Sequence, residues 1–299
     1  MNWLFLWSAM NTQDNSFLLL GRAGRFQPVF YLMSFTGLIL ICLSLSALFI
    51  PLDVIFSKIQ NRNVILAIQL SSFSYVLVLF LLLSSYIHKR PIISFITSTN
   101  KFGFKRALVT FVIFLILNSL AELINYFFFN QKYSFQFDIL NFIALLLVAV
   151  SLLILQSAAE EIILRGYILQ ALSSWKKTKP VVALVISSLL FASLHISNPE
   201  FTEYGFIPMF LIYFIAAVFL GAFAILGNGL EIPIGIHAAN NFFAAVFVNY
   251  NASALKTESL FIIDRINVPL GLTEYIIILL LFVIIFYKMK WISPPNTLI

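Results

Sequence analysis

Long apolar stretches separated by short polar segments dominate the pattern of this 299-residue chain. A transmembrane helix needs roughly 20 consecutive apolar residues, and the pattern predicts eight such helices. Their predicted bounds are 28–51, 64–87, 106–129, 139–173, 180–197, 205–226, 231–250 and 272–291. The fourth stretch is too long for one simple crossing, so it predicts either a tilted, protruding helix or a crossing followed by a second helix. The predicted fold class is all-α, a polytopic membrane helix bundle.

Composition agrees with a membrane protein. Hydrophobic residues make up 61% of the chain and charged residues 10%, whereas soluble domains are usually about 25% charged. The single cysteine, Cys42, cannot form an intrachain disulfide and is expected to be a buried thiol.

Positive charge predicts the orientation, because Lys and Arg accumulate in cytoplasmic loops. With eight crossings, the side of the N-terminus holds twelve of them: Arg22, Arg25, Lys89, Arg90, Lys101, Lys105, Arg106, Lys176, Lys177, Lys179, Lys288 and Lys290. The other side holds five: Lys58, Arg62, Lys132, Lys256 and Arg265. Both termini are therefore expected to be cytoplasmic. The basic segment 88–106 is expected to lie along the anionic inner leaflet.

The strongest chemical signal is the segment Ser157-Ala-Ala-Glu-Glu-Ile-Ile-Leu-Arg-Gly166 in the fourth stretch. A charged residue inside a membrane costs about 2.5–3.5 kcal/mol on insertion scales, so it is expected to face a protein interior or a wet cavity. Glu161 and Arg165 are four residues apart, in the order that favours an ion pair on one helix face. Glu160 lies about 100° away around the axis and can present its carboxylate to a cavity as a general base. A purely structural ion pair is the alternative.

A histidine on the fifth predicted helix lies at a similar depth. In Phe191-Ala-Ser-Leu-His195 the two named residues share a face, and the phenyl ring is expected to pack on the imidazole. At about 1.5 Å per residue, Glu160 and His195 both lie on the order of 20 Å from the cytoplasmic ends of antiparallel neighbours. We therefore expect these two side chains to lie close together.

A second histidine lies on the seventh predicted helix, in His237-Ala-Ala-Asn-Asn241. His237 and Asn241 share a face, and both can donate hydrogen bonds to a developing oxyanion. Asn240 points elsewhere and is the weaker candidate. Interhelical hydrogen bonding is the structural alternative. A helix that starts at Glu231 places His237 only about 9 Å along it, so either the preceding Gly-Asn-Gly segment dips into the membrane or this boundary is wrong.

The ordered set Glu-Glu-x-x-x-Arg, Phe-x-x-x-His and His-x-x-x-Asn resembles the CPBP family, the CAAX protease and bacteriocin-processing (Abi) family of intramembrane endopeptidases. The resemblance covers roughly residues 140–250. It divides the chain into an N-terminal cytoplasmic or interfacial segment (1–27), helices without a recognised motif (28–138), a CPBP-like catalytic core (139–250), and a loop with the last helix (251–299).

The resemblance implies a role for each motif residue. Glu160 and His195 polarise a water for attack on a peptide carbonyl, and His237 and Asn241 line the oxyanion hole. The ion pair of the first motif, with Phe191, supports them. The implied substrates are membrane-associated, hydrophobic or lipidated peptides. Bacterial relatives are linked to bacteriocin or peptide processing, self-immunity and scaffolding.

The resemblance leaves the cofactor open, because family members are labelled metalloproteases yet are also described as glutamate-dependent without a metal. Zn²⁺ could bind Glu160, His195 and His237, the two-His, one-carboxylate set of catalytic zinc sites. No His-x-x-x-His spacing is present, and Asn241 suits an oxyanion better than zinc. A metal-free mechanism is therefore favoured.

Two other function classes stay open. A proton- or ion-coupled transporter would use the buried ionisable residues as a relay, although no inverted repeat is evident. A non-catalytic membrane scaffold or immunity protein would use the bundle only for binding. In each case the expected location is a bacterial cytoplasmic (inner) membrane. The lipid bilayer is the expected partner and nucleic acid is not; the sequence does not indicate an oligomeric state.

Overall fold

The computed structural model describes residues 16–49, 59, 61–175 and 178–292. Predictions that fall on residues 1–15 and 50–51, and on Lys58, Lys176 and Lys177, lie outside the described residues. In the described part, the long helices are α1 (Pro28–Phe49), α2 (Arg62–His88), α3 (Phe104–Phe128), α4 (Ile139–Ser174), α5 (Pro180–Leu194), α6 (Phe206–Leu226), α7 (Glu231–Val246) and α8 (Val268–Lys288). They confirm the all-α membrane bundle.

Two of the predicted crossings are shorter than the sequence pattern indicates. Among the described residues, six helices are long and apolar enough to cross a membrane; α5 has 15 residues and α7 has 16. The predicted stretch 180–197 overruns because α5 ends before His195, where the chain turns. The predicted stretch 231–250 overruns because the chain enters a β-strand after Val246.

The fourth stretch is one continuous helix of 36 residues. Of the two predicted alternatives, the structure therefore has the single long helix and not a crossing followed by a second helix. At about 1.5 Å per residue, α4 is roughly 54 Å long and exceeds the hydrocarbon core of about 30 Å. Two π-helical segments, Ala149–Leu153 and Ile162–Leu169, flank the α-helical stretch Ile154–Glu161. Such widened turns occur frequently at functional sites, and here they enclose the two adjacent glutamates.

The two ends of the bundle differ. At the basic end, the segments 16–25, 88–106 and 226–231 meet the C-terminal ends of α4 and α8; for example, Arg106 donates hydrogen bonds to Gly227 O (2.8 Å) and to Trp291 O. At the opposite, sheet end, three short strands form a sheet in the order β1-β3-β2. They are β1 (Ser134–Phe135), β2 (Val248–Tyr250) and β3 (Phe261–Ile263), with β3 antiparallel to β1 and parallel to β2.

Part of the basic segment 88–106 packs inside the protein; that the rest lies along the inner leaflet stays a prediction. Arg90 is only 4% exposed. Its guanidinium donates to Leu20 O and to Gln170 Oε1 (3.0 Å) and lies 3.7 Å from the centre of the Phe95 ring. Burial lowers the pKa of Arg90 to about 10. The arginine therefore joins the N-terminal segment to the end of α4.

The helix that carries His237 is the centre of the bundle. Thirteen residues of α7 are buried, and its neighbours are α3, α4 and α6. Gly235 permits the approach to α3, because a Cβ there would lie 2.6 Å from Ala107 O. The helix begins at Glu231 as predicted. The Gly-Asn-Gly segment before it is held inside the protein, where Leu230 N donates to Ile96 O (2.9 Å).

The first long helix is peripheral. It packs against α2, and Leu32, Leu40 and Leu43 are exposed on its outer side. Cys42 is also exposed, so the expectation of a buried thiol is wrong. Because α1 is apolar and long enough to cross a membrane, this exposed side is expected to face lipid.

Candidate active site

The carboxylate of Glu160 faces both predicted histidines. Its Oε1 accepts a hydrogen bond from Gln156 Nε2, one turn earlier on α4. Its Oε2 lies 3.9 Å from His195 Nε2 and 3.7 Å from His237 Nε2. These separations exceed a direct hydrogen bond of about 2.7–3.2 Å. A carboxylate oxygen and two ring nitrogens thus meet across a gap that one water molecule can bridge.

The ring of His195 is fixed by its own helix and by two aromatic neighbours. Its Nδ1 donates to Phe191 O (2.8 Å) at the C-terminal end of α5. The ring lies 4.5 Å from that of Phe191 and stacks on Tyr213 at 4.4 Å. Because Nδ1 carries the proton, Nε2 of the neutral ring has a free lone pair. That lone pair is directed toward Glu160.

His237 is oriented by the ion pair of the first motif. Its Nδ1 donates to Glu161 Oε1 (2.8 Å), and the same oxygen accepts from Arg165 Nη1 (2.9 Å). Both charged side chains are almost fully buried, and the guanidinium lies 4.5 Å from the centre of the Phe191 ring. The pair therefore holds the imidazole in one tautomer, with Nε2 toward Glu160.

This tautomer constrains the predicted oxyanion role. The Nδ1 proton of His237 is used by Glu161, so Nε2 donates a hydrogen bond only when the ring is protonated. Asn241 Nδ2 donates to Gln156 Oε1 and to Ser157 Oγ, both at 3.2 Å. Asn241 would have to exchange one of these bonds to reach an oxyanion. Its role in the oxyanion hole stays a prediction.

Glu160, His195, His237 and Asn241 line one cavity of about 590 Å³, together with Gln156, Phe191 and Tyr213. Its walls also include the halves of α2, α3 and α8 that adjoin the sheet end, together with residues 253–255 after β2. The cavity therefore lies in the half of the bundle opposite the basic end. It is large enough for a water molecule and several residues of an extended peptide.

The segment that forms this site also matches a known family. Residues 142–243 match the family model described as "Type II CAAX prenyl endopeptidase Rce1-like". This segment is therefore similar to Rce1-like proteins. Because it contains all three motifs, the match confirms the resemblance to the CPBP family that those motifs indicate.

One curated relative extends the similarity beyond the Rce1-like segment. The uncharacterized protein YyaK of Bacillus subtilis (strain 168) is 32% identical over 184 residues. The alignment covers 61% of this chain and 61% of YyaK. No solved structure matches the chain.

Sequence reasoning missed two residues of the candidate site. Gln156 links Glu160 to Asn241, donating to the carboxylate and accepting from the amide. Its position four residues before Glu160 was the available signal, because such residues share a helix face. Tyr213 stacks on His195 from α6, and nothing in its apolar sequence context indicated this. Asn240, the weaker candidate, only donates to Asn241 Oδ1 at 3.3 Å.

Zn²⁺ bound by Glu160, His195 and His237 would fix the distances between their ligand atoms. Bonds of about 2.0–2.2 Å in a tetrahedral arrangement place ligand atoms about 3.3–3.6 Å apart. Glu160 Oε2 is farther than this from both histidine nitrogens. In the described part of the chain, no three His, Cys, Asp or Glu side chains are placed to hold a metal ion. The hydrogen-bonded Nδ1 atoms are compatible with ligation, and Zn²⁺ binding by these three side chains stays a prediction.

Proposed function

We propose that this integral membrane protein is an endopeptidase that hydrolyses peptide bonds of membrane-associated or hydrophobic peptides within the bilayer. The observation that carries the proposal is the convergence of Glu160 Oε2 with the Nε2 atoms of His195 and His237 at the wall of the cavity. The Rce1-like match over the same segment supports it.

In the proposed reaction, a water molecule binds between Glu160 and His195. The carboxylate takes a proton from this water while its oxygen attacks the peptide carbonyl carbon. Protonated His237, stabilised by Glu161, donates a hydrogen bond from Nε2 to the oxyanion that forms. Glu160 then returns the proton to the leaving nitrogen as the C–N bond breaks. No other protein group has to gain or lose a proton overall.

The test in cells compares the membrane proteomes of the wild type and Glu160→Gln. We expect new protein C-termini in the wild type that are missing in the variant. A transporter would instead give pH-dependent flux in proteoliposomes that the variant loses. A scaffold would keep its partner in the variant. Identical C-termini in both strains, with both proteins present at the same level, would contradict an endopeptidase.

We propose that both termini are cytoplasmic, in a bacterial cytoplasmic membrane; the excess of Lys and Arg at the basic end supports this. The cavity then faces the outer half of the membrane. In a Cys42→Ser background, Lys132→Cys at the sheet end should react with a membrane-impermeant maleimide in intact cells. Lys101→Cys at the basic end should react only after lysis. The reverse pattern would refute this orientation.

We propose catalysis without a bound metal. Purified protein is then expected to contain zinc far below one ion per chain, and chelators should leave peptide cleavage unchanged. Elemental analysis and cleavage assays with and without chelator measure this. Zinc at one ion per chain, together with activity that chelators remove and zinc restores, would refute the metal-free mechanism.

A further inference from the structure

The lining of the candidate active-site cavity is rich in carboxyl groups. Four glutamates contribute to its lining: Glu122, Glu160, Glu200 and Glu274. Among the described residues, no lysine or arginine lines it. Arg165, the nearby buried cation, is already paired with Glu161. In a low-dielectric cavity, uncompensated carboxylates attract positive charge much more strongly than they do in water.

Glu200 stands out among these carboxylates by its burial and by a free acceptor. It lies on the short helix Pro199–Tyr204 and is 2% exposed. Its Oε1 accepts from Ala254 N (2.7 Å) and Tyr250 OH (3.2 Å). Among the described residues, none donates a hydrogen bond to its buried Oε2. A buried carboxylate without a counter-ion is costly in free energy. This oxygen is therefore available to accept a hydrogen bond from a bound group.

Among the described residues, neither Glu122 nor Glu274 has a buried carboxylate oxygen without a hydrogen-bond partner. Glu122 Oε2 accepts from Tyr133 OH (2.5 Å), and Glu274 Oε2 accepts from Asn125 Nδ2 (3.1 Å). Glu160 has a free oxygen as well, but that atom faces the two histidines. Among the lining glutamates other than Glu160, Glu200 is therefore the one with a buried oxygen that no described residue satisfies.

Glu200 belongs to the wall next to His195. It follows that histidine by five residues, and Asn198 between them also lines the cavity. Asn198 Nδ2 donates to Tyr213 OH (3.0 Å), and the Tyr213 ring stacks on His195. A group bound by Glu200 would thus lie in the same cavity as His195.

We infer that Glu200 binds a cationic group of the substrate close to the bond that is cleaved. The group is an ammonium or guanidinium, supplied by a Lys or Arg side chain or by a free N-terminus. Its N–H groups satisfy Oε2, and its charge neutralises the carboxylate. This inference rests on the proposed endopeptidase function and specifies its substrate class.

The experiment measures the Kd of fluorescent peptides for the full-length protein in lipid nanodiscs. A matched set of short alanine- and leucine-containing peptides combines lysine or norleucine at one position with a free or acetylated N-terminus. The peptide without positive charge should bind about tenfold more weakly than a charged one, after subtraction of binding to empty nanodiscs. If lysine restores tight binding, the bound cation is a side chain; if the free N-terminus restores it, the bound cation is the α-ammonium group. Equal Kd values for all peptides, or no binding, would overturn the inference.

Variants assign the effect to Glu200. Glu200→Gln keeps the acceptor for Ala254 N and should bind all peptides equally, whereas Glu200→Asp should keep part of the preference. Glu203→Gln is the matched control, because Glu203 lies on the same short helix, 48% exposed, with Arg265 Nη2 at 3.6 Å. It should keep the full preference. A preference unchanged in folded Glu200→Gln would also overturn the inference.

Binding and cleavage separate the two proposals. If Glu160→Gln abolishes cleavage but the peptides bind without regard to charge, the endopeptidase stands and the role of Glu200 is wrong. If the charge preference is found but Glu160→Gln cleaves normally, the cation site stands and the proposed reaction is wrong.

Discussion

Glu160→Gln is expected to lower kcat/KM by about 10²–10⁴-fold, the usual contribution of a positioned general base. Glutamine keeps the size of the side chain and an acceptor for Gln156, but it cannot take a proton from water. The loss should appear in kcat more than in KM, because the carboxylate acts on the reacting water and not on substrate binding. Purified variants and a peptide identified from the proteome comparison give the measurement.

Two controls make this result specific. Glu203→Gln removes an exposed carboxylate at the sheet end and should leave kcat/KM unchanged. Thermal unfolding of Glu160→Gln should match that of the wild type, since no described residue donates a hydrogen bond to the replaced oxygen Oε2. A stable variant with wild-type kcat/KM would remove Glu160 from the mechanism.

Glu161→Ala is expected to destabilise the protein by about 3–5 kcal/mol, the usual result of removing one partner from a buried ion pair. The substitution leaves the Arg165 guanidinium, 1% exposed, without its carboxylate. It also removes the acceptor for His237 Nδ1. Unfolding in detergent, followed by heat or denaturant, measures the loss.

The surface pair Glu203–Arg265 provides the comparison for this second variant. Its side chains are 48% and 71% exposed, so Glu203→Ala should cost less than about 1 kcal/mol. Replacing both buried partners, by Glu161→Leu with Arg165→Met, should recover much of the lost stability without recovering activity. Equal effects of Glu161→Ala and Glu203→Ala would show that the buried pair does not hold the bundle together.

Contacts within one helix could be predicted from the sequence alone. Glu161 and Arg165 form the expected ion pair because a spacing of four residues fixes their approach. Phe191 packs on His195 for the same reason. The approach of Glu160 to His195 was also predictable, because both lie at a similar distance along neighbouring helices from the end that is proposed to be cytoplasmic.

Contacts between distant helices could not be predicted in this way. The bond from His237 to Glu161 depends on how α7 rotates against α4, and the helical period does not determine that rotation. The stacking of Tyr213 on His195 depends on the crossing of α6. The strands at the sheet end are two or three residues long, too short to show an alternating pattern.

The burial of α7 has a consequence for biogenesis. This helix carries a glutamate, a histidine and two asparagines within 16 residues. It is not one of the six described helices that are long and apolar enough to cross a membrane. Its transfer from the translocon into lipid alone is unfavourable. It can enter the membrane only together with α3, α4 and α6, which are synthesised before it. The candidate active site is therefore completed by the helix that depends most on the others for its insertion.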